Sequence, residues 1–353
     1  MSPKIKGFGM LLFTGACGYI GSSVARLFLE QTNYKIWIVD NLSTGFEIHA
    51  KTLKHLYPER VFFDMLDLSD TNKLEHLIQA KQQEHPIQGV LHFAAKLLVE
   101  ESTRLPLDYY TNNTLNTLQL ARLCVKHGIK HFVFSSTAAV YGQGAQIMDE
   151  SAPLSPINPY GASKMMSERI LLDTSKVAPF SCALLRYFNV AGATRFNDYL
   201  SPFALGQRAK NATHLIKVAC ECATHKRPFM AIFGNDYPTP DGTCVRDYIH
   251  IDDLALAHLE AFKTLQSEQK SQIYNVGYGR GYSVAEVVAK VKEISGVDFK
   301  VQMQGRRAGD PASLIADNSK ILSHTAFKPQ YDSLETIIKS AYEWEQYLGA
   351  QPC

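Results

Sequence analysis

One short stretch constrains the fold of this chain more than any other: Met10-Leu11-Leu12-Phe13-Thr14 followed by Gly15-Ala16-Cys17-Gly18-Tyr19-Ile20-Gly21. The first five residues form a nearly unbroken apolar run, as expected of a strand covered on both faces of a parallel sheet. After Gly21 the pattern turns helical. A strand, spaced glycines and a helix make a phosphate cradle: Gly15 permits the tight turn, Gly18 admits a pyrophosphate close to the backbone, and Gly21 lets the helix settle on the strand. A second strand, Tyr34 to Val39, ends at Asp40, from which a carboxylate can accept hydrogen bonds from an adenosine ribose. That negative charge would meet a 2′-phosphate, so the reading favours NAD over NADP. Asp40 as an ordinary strand-end turn residue is the alternative.

Further strands are expected at Arg60 to Phe63, Gly89 to Phe93, His131 to Phe134 and Cys182 to Arg186. Helical patterns separate them around Asn72 to Ala80, Leu107 to His127 and Tyr160 to Thr174. Such alternation predicts an α/β, doubly wound parallel sheet, whose ligands lie beyond the carboxyl ends of the strands. Gly15, Asp40, Asp67, Phe93 and Thr137 all fall at or just after strand ends. Beyond about residue 189 the alternation gives way to loops, short strands such as Met230 to Phe233, and helices near Val284 to Ile294 and Leu334 to Tyr347. The expected organisation is therefore 1–188 as a dinucleotide-binding domain and 189–353 as mainly a smaller α/β substrate-binding lobe, with a return to the first domain around 245–268.

With 353 residues, 46% hydrophobic and 20% charged, the chain is long enough for two lobes. A net charge of +2 and scattered lysines give no basic stripe for nucleic acid. The opening Met1-Ser2-Pro3-Lys4-Ile5-Lys6 lacks a signal-like apolar run, and no later stretch reads as a membrane span, so a cytoplasmic location is expected. Seven cysteines at irregular spacings, with Cys220-x-Cys222 too tight for the usual zinc pair, read as buried thiols; no metal is expected. Internal repeats and low-complexity tracts are not apparent.

The chemistry is expected at Asn158-Pro159-Tyr160-Gly161-Ala162-Ser163-Lys164. A tyrosine phenol has an ordinary pKa of about 10, and a fixed ammonium nearby favours the phenolate. Lysine four positions later shares a helix face with Tyr160, and Pro159 sits where a helix can start. A Tyr-x-x-x-Lys spacing alone also describes a solvated helix face. Its company raises it: the glycine fingerprint, and the hydroxyl-rich strand end Phe134-Ser135-Ser136-Thr137.

Taken together, Gly15-x-x-Gly18-Tyr19-Ile20-Gly21, Asp40-Asn41-Leu42, Tyr160-x-x-x-Lys164, Tyr187-Phe188-Asn189 and Phe233-Gly234-Asn235-Asp236-Tyr237 resemble the extended short-chain dehydrogenase/reductases. Within them Asp241-Gly242-Thr243 and Val245-Arg246-Asp247-Tyr248-Ile249-His250 are similar to the UDP-glucose 4-epimerases, NAD-dependent isomerases of galactose metabolism built on a Rossmann-type sheet. The resemblance implies that Tyr160 takes the proton from the sugar 4-hydroxyl, Lys164 binds the nicotinamide ribose and depresses the phenol pKa, and Thr137 bonds the 4-oxygen. Ser135 and Ser136 are alternative hydroxyls, and Thr137 as a strand-end cap is the plainer reading.

For NAD the resemblance implies Gly15, Gly18, Tyr19, Ile20, Gly21, Asp40, Asn41, Asp67 rather than Asp64, Leu68, Phe93, Ala94, Ala95, Tyr160, Lys164 and Tyr187. Family members often carry a lysine where this chain has Leu97; its own Lys96 is expected to point the other way, so both stay outside the site. For the UDP-sugar it implies Thr137, Tyr160, Asn189, Leu215, Phe233, Arg246, Arg307, Asp310 and Leu314. Two arginines from distant segments suit a diphosphate clamp; a surface or structural arginine is the plainer alternative for each taken singly. Leu314 stands where epimerases vary the bulk of a wall beside the sugar, and a residue smaller than tyrosine implies room for N-acetylated sugars.

Another UDP-sugar 4-epimerase, for glucuronate or pentoses, fits the same residues. A 4,6-dehydratase usually places Asp-Glu after the strand-end threonine, where this chain has Ala138 and Ala139. A dinucleotide sensor of this fold would have no need of Tyr160 and Lys164. Leu115, Leu118, Leu120, Ala121 and Leu123 exceed one core stripe, and the resemblance makes that helix and the Tyr160 helix a homodimer face.

Overall fold

The computed structural model describes residues 9–142, 147–194, 205–209, 212–307 and 310–350. The opening Met1 to Lys6, and Ala308, Gly309 and Cys353, lie outside the described residues. The first part alternates β1 (Met10–Thr14), α1 (Tyr19–Gln31), β2 (Lys35–Asp40), α2 (Glu47–Leu56), β3 (Val61–Met65), α3 (Thr71–Glu84) and β4 (Ile87–His92). Next come α4 (Val99–Arg104), α5 (Pro106–Tyr109), a π-helical turn (Tyr110–Leu115), α6 (Asn116–Lys126), β5 (His131–Thr137), β6 (Ile147–Met148), α7 (Pro159–Val177) and β7 (Ser181–Tyr187). The remainder comprises β8 (Asn189–Ala191), α8 (Leu215–Ala223), β9 (Met230–Phe233), β10 (Val245–His250), α9 (Ile251–Glu268), β11 (Gln272–Val276) and β12 (Gly281–Ser283). It closes with α10 (Val284–Ser295), β13 (Val301–Gln304), β14 (Ser313–Ala316), α11 (Ser319–His324) and α12 (Leu334–Ala350).

Seven strands form one parallel sheet in the order β11-β7-β5-β4-β1-β2-β3. All five residues of β1 are buried, as its apolar run requires for a strand with helices on both faces. From β1 the chain steps outward to β2 and β3, then returns to the other side of β1 as β4. The strand order therefore reverses between β1 and β4, and a crevice opens there at the carboxyl ends. On one face α1 and α9 pack together, with Phe28 and Phe262 ring centroids 5.7 Å apart. On the other face Leu74, Ile78, Leu120, Leu123 and Leu171 cover the sheet. Each such fully buried side chain contributes on the order of 2 kcal/mol of transfer free energy.

The second lobe holds a mixed sheet, β12-β10-β14-β6 with β8 also on β10, and a separate β13-β9 pair. Its apolar core lies among α8, α10 and α12 around Ile216, Val287 and Ile337. The return to the first sheet differs from the expected 245–268. β10 pairs within the smaller sheet, whereas α9 packs on α1 and β11 adds to β7, so the return runs on to Val276. β6, from before residue 188, likewise pairs with β14 of the second lobe.

The expected continuous helix from Leu107 to His127 is interrupted by the π turn. Inside that turn Asn113 is buried, accepting from the Lys96 N–H at 2.8 Å and donating to Ser163 Oγ at 3.0 Å. The wider turn gives its side chain the inward direction those bonds need. Among the described residues, no helix is long and apolar enough to cross a membrane. Cys17, Cys124, Cys182, Cys220, Cys222 and Cys244 are buried free thiols.

Candidate active site

The glycine turn is built by close approach. Gly15 has φ +75°, and a Cβ there would lie 2.4 Å from the Ala94 nitrogen, so a side chain is excluded. A Cβ at Gly21 would lie 2.7 Å from Ala16 Cα. Gly18 is the N-cap of α1 and offers no side chain to it, and the first turn holds no acidic residue. Backbone N–H groups at this helix end are thus left for an external anion, with the helix dipole favouring it. Tyr19 opens α1 and sends its hydroxyl across to the Gly192 carbonyl of the second lobe at 2.7 Å, while half-buried Ile20 packs against the core beneath.

At the end of β2, Asp40 is buried and accepts from the Cys17 N–H at 2.9 Å and the Leu42 N–H at 2.8 Å. Burial pushes its carboxyl up, and the two N–H groups oppose that. Those bonds aim the carboxylate at the mouth of the glycine turn and leave lone pairs for a diol. Asn41 donates to Asp67 at 2.6 Å, and the Ser69 side chain and N–H hold the Asp67 carboxyl below its usual range. Asp64 instead accepts from the Trp37 indole at 2.8 Å and is committed. Leu68 is buried beside Asp67. Phe93 and Ala94 both donate their N–H to the Thr14 carbonyl, at 2.9 and 3.1 Å, which places the Phe93-Ala94-Ala95 segment along the crevice. Lys96 turns its ammonium to Asp108 at 3.6 Å, and Leu97 is exposed.

The chemistry-bearing groups meet where β5 ends against α7. Asn158 caps α7 by accepting from the Gly161 N–H at 2.8 Å, and Pro159 occupies its first turn. Tyr160 and Lys164 follow on one face. The Thr137 hydroxyl stands next to the Tyr160 phenol and favours its ionised form, and Thr137 Oγ1 also accepts from the Ala139 N–H at 3.2 Å. Cap and proton partner are therefore the same hydroxyl. Ser135 is bonded to the Tyr187 hydroxyl and Ser136 to Glu168 at 2.5 Å, so both alternative hydroxyls are engaged elsewhere.

One electrostatic expectation is reversed. Burial raises the Tyr160 phenol above its ordinary value, and the neighbouring Thr137 hydroxyl opposes it. The Lys164 ammonium donates to the Ser135 carbonyl at 2.8 Å and lies 4.8 Å above the Phe134 ring. Burial in turn lowers Lys164 to about 7, with the Glu168 carboxylate holding it up. Desolvation is largest at Lys164, which is buried, while Tyr160 is half-buried and keeps one side toward the cleft.

Residues with no clear sequence signal complete the site. His92 bridges Thr14 Oγ1 at 2.6 Å and Thr117 Oγ1 at 3.0 Å, and burial, with Lys164 nearby, keeps it neutral with a pKa of about 3. His258, delivered by α9, packs 5.2 Å from Phe93 and 5.7 Å from Tyr187. Glu168 and Arg186 form a fully buried ion pair at 2.6 Å. A charged residue inside the apolar strand Ser181–Tyr187 was the available clue to the last.

In the second lobe, Asn189 and Leu215 line one pocket with Gly192 and Tyr248. The Arg307 guanidinium lies 3.7 Å from the Phe233 ring centroid, and Arg246 is 3.6 Å from Asp310. The Asp310 N–H donates to the Arg307 carbonyl at 3.3 Å, tying the two pairs together. Across the sheet Arg246 is in register with Leu314, which packs in the cluster of Ala138 and Phe188 just past Thr137. Leu314 thus links the strand of Arg246 to the cluster just past Thr137. The uncapped helix end, the excluded side chains at Gly15 and Gly21, and Asp40 fit a dinucleotide.

A curated UDP-glucose 4-epimerase of Azospirillum brasilense is 42% identical over 349 residues, covering 99% of this chain and 95% of the relative. The solved UDP-Glc/GlcNAc 4-epimerase of Campylobacter jejuni is 47% identical with a TM-score of 0.81, covering 96% of this chain and 99% of the other. A UDP-glucose-4-epimerase of Stenotrophomonas maltophila, solved with NAD and formylated UDP-arabinopyranose, is 31% identical with a TM-score of 0.88 over 97% and 99% of the two chains. The model of the NAD dependent epimerase/dehydratase family matches residues 11–277, from the first strand of the parallel sheet past its last, and the chain belongs to that family.

Proposed function

We propose that this protein is a UDP-glucose 4-epimerase that interconverts UDP-galactose and UDP-glucose, with NAD as resident cofactor. The observation that carries the reading is the Thr137 hydroxyl beside the Tyr160 phenol at the end of β5, with Lys164 one turn further along the Asn158-capped helix. Bound NAD supplies a reversible hydride acceptor, so that C4 is oxidised and then reduced with opposite handedness and no net redox change. Gly15, Gly18, Tyr19, Ile20 and Gly21 would hold its pyrophosphate, Asp40, Asn41, Asp67 and Leu68 its adenosine half. Phe93, Ala94, Ala95, Lys164 and Tyr187 would line its nicotinamide half.

Tyr160 takes the 4-hydroxyl proton and gives it back, while Thr137 holds the 4-oxygen and relays or orients that proton. Arg246 and Arg307 hold the diphosphate by charge-assisted bonds, supported by Asp310 and Phe233, with Asn189 and Leu215 alongside. That grip lets the 4-keto sugar turn over without leaving. Purified protein incubated with UDP-galactose should yield UDP-glucose on separation of the epimers, and unaltered UDP-galactose with no retained nicotinamide would overturn the reading.

Leu314 favours a second substrate class. It is half-buried against Ala138 and Phe188, beside the Thr137–Tyr160 edge, and is smaller than tyrosine. We infer that UDP-N-acetylglucosamine and UDP-N-acetylgalactosamine are accepted too; an N-acetyl sugar left unconverted where UDP-galactose reacts would remove that inference. The protein acts as a cytoplasmic homodimer in this reading. Its support is the free buried thiols and a cluster of exposed apolar side chains on adjoining elements: Leu107 at 76%, Leu115 at 46% and Met166 at 42% exposure. A monomeric mass in light scattering would count against the dimer.

A further inference from the structure

Beneath the Tyr160–Lys164 turn lies a chain of polar groups that the reaction itself does not use. Glu168, one turn past Lys164, is fully buried. Its carboxylate accepts from Ser136 Oγ at 2.5 Å and from Arg186 Nε at 2.9 Å and Nη2 at 2.6 Å. Arg186, equally buried, donates onward to the Tyr141 hydroxyl at 3.0 Å, which donates to Asn275 Oδ1 at 2.6 Å. Asn275 lies on β11 and donates to the Met148 carbonyl at 2.7 Å. One end of the chain fixes Ser136, the residue before Thr137; the other spans the short helix that Thr137 caps.

A buried ion pair is a poor source of net stability, because desolvation offsets its attraction. Its placement here serves another purpose. We propose that Glu168 is a positioning residue for the reaction: through Ser136 it registers the Thr137 hydroxyl against Tyr160, and it sets a carboxylate one helical turn from the buried Lys164. Arg186, Tyr141 and Asn275 hold that carboxylate in place.

The surroundings of Lys164 support the electrostatic half. From β5 it meets the neutral Ser135 carbonyl and the Phe134 ring. From β4 it faces His92, which is neutral, and the charge that β7 brings to this cluster, Arg186, is bonded to the Glu168 carboxylate. On its own helix stand protonated Tyr160 and Glu168, and Glu168 is the carboxylate that raises Lys164 toward 7. Without that charge the ammonium loses its proton at lower pH, so function that requires it fades earlier on the alkaline side.

The inference rests on the epimerase reading, and the experiment separates the two. Three variants are compared with wild type by thermal melting and by the pH profiles of kcat and KM for UDP-galactose: Glu168→Gln, Glu168→Gln with Arg186→Met, and Tyr141→Phe. The double variant leaves no orphan charge, so it should melt close to wild type even where the single variant is impaired. Both Glu168 variants are expected to lose kcat by at least about tenfold with KM within about twofold, and their alkaline limb should move to lower pH. Tyr141→Phe should lose about threefold in kcat with the limb unmoved, since it keeps the charge and loosens the position. A folded double variant with wild-type kcat and pH profile overturns the proposal while leaving the epimerase reading intact. Wild type that fails to convert UDP-galactose removes both.

Discussion

The two walls of the cleft are made differently. On the sheet side, Lys164, Glu168, Arg186 and His92 are buried, and every one of them is held by neighbours in the same lobe or by β11. On the other side Arg307 is exposed and rests on the Phe233 ring, while Arg246 donates to the Val245 carbonyl at 2.8 Å and approaches Asp310 at 3.6 Å. The contrast separates two tasks. Groups that move a proton have to be in place before the substrate arrives, because misplacement is felt directly in the barrier. Groups that grip a diphosphate need charge and reach, and they gain from retaining some freedom until it is bound.

If that division holds, damage to the sheet side should fall on kcat and damage to the other wall on binding. Tyr160→Phe removes the proton acceptor and should lower kcat by about a thousandfold, with the Kd for UDP changed less than about twofold by calorimetry. Arg246→Ala should do the reverse, weakening UDP by about 30-fold while kcat at saturation stays within a few-fold. Leu314→Tyr sharpens the comparison within the sugar pocket: turnover of UDP-N-acetylgalactosamine should fall about tenfold relative to UDP-galactose, read from competing kcat/KM values. Equal losses on both sugars would dissociate Leu314 from the N-acetyl group.

The smallest effect tests what burial costs the sheet side. Lys164 falls from its ordinary 10.5 to about 7 in the folded protein, so between those values the unfolded chain binds more protons and stability rises with pH. Below about pH 7 the full cost of burying the ammonium is present. Lys164→Met should therefore melt above wild type by about 2 °C at pH 6, and that gain should shrink by pH 9. A gain independent of pH would mean that the lysine is not buried as a charge.

Much of the first lobe was readable because its signals are local. An apolar run, glycines at φ-demanding positions and a capped Asn-Pro helix start each act over a few residues, and β1, α1 and α7 follow from them. Strand β11 was not readable as part of that lobe. Its membership depends on pairing Gln272–Val276 with Ala183–Tyr187, a distance along the chain that no periodicity records. The break at Tyr110–Leu115 was hidden for a related reason: it exists to let Asn113 reach Lys96 and Ser163. Spacing did bring Tyr160 and Lys164 to one face, but the sign of the phenol shift needed the burial around it, which spacing does not contain. Among the three serine and threonine hydroxyls at the end of β5, only their partners distinguish Thr137.

The late arrival of β11 has a consequence for how the molecule comes into being. A chain emerging from the ribosome has long since made its glycine turn when residues 272–276 appear, and until then β7 offers an open flank to any other extended segment. Both lobes must accordingly mature together. A fragment cut near residue 188 would carry that raw flank for good, and clumping rather than a free-standing half is its natural fate.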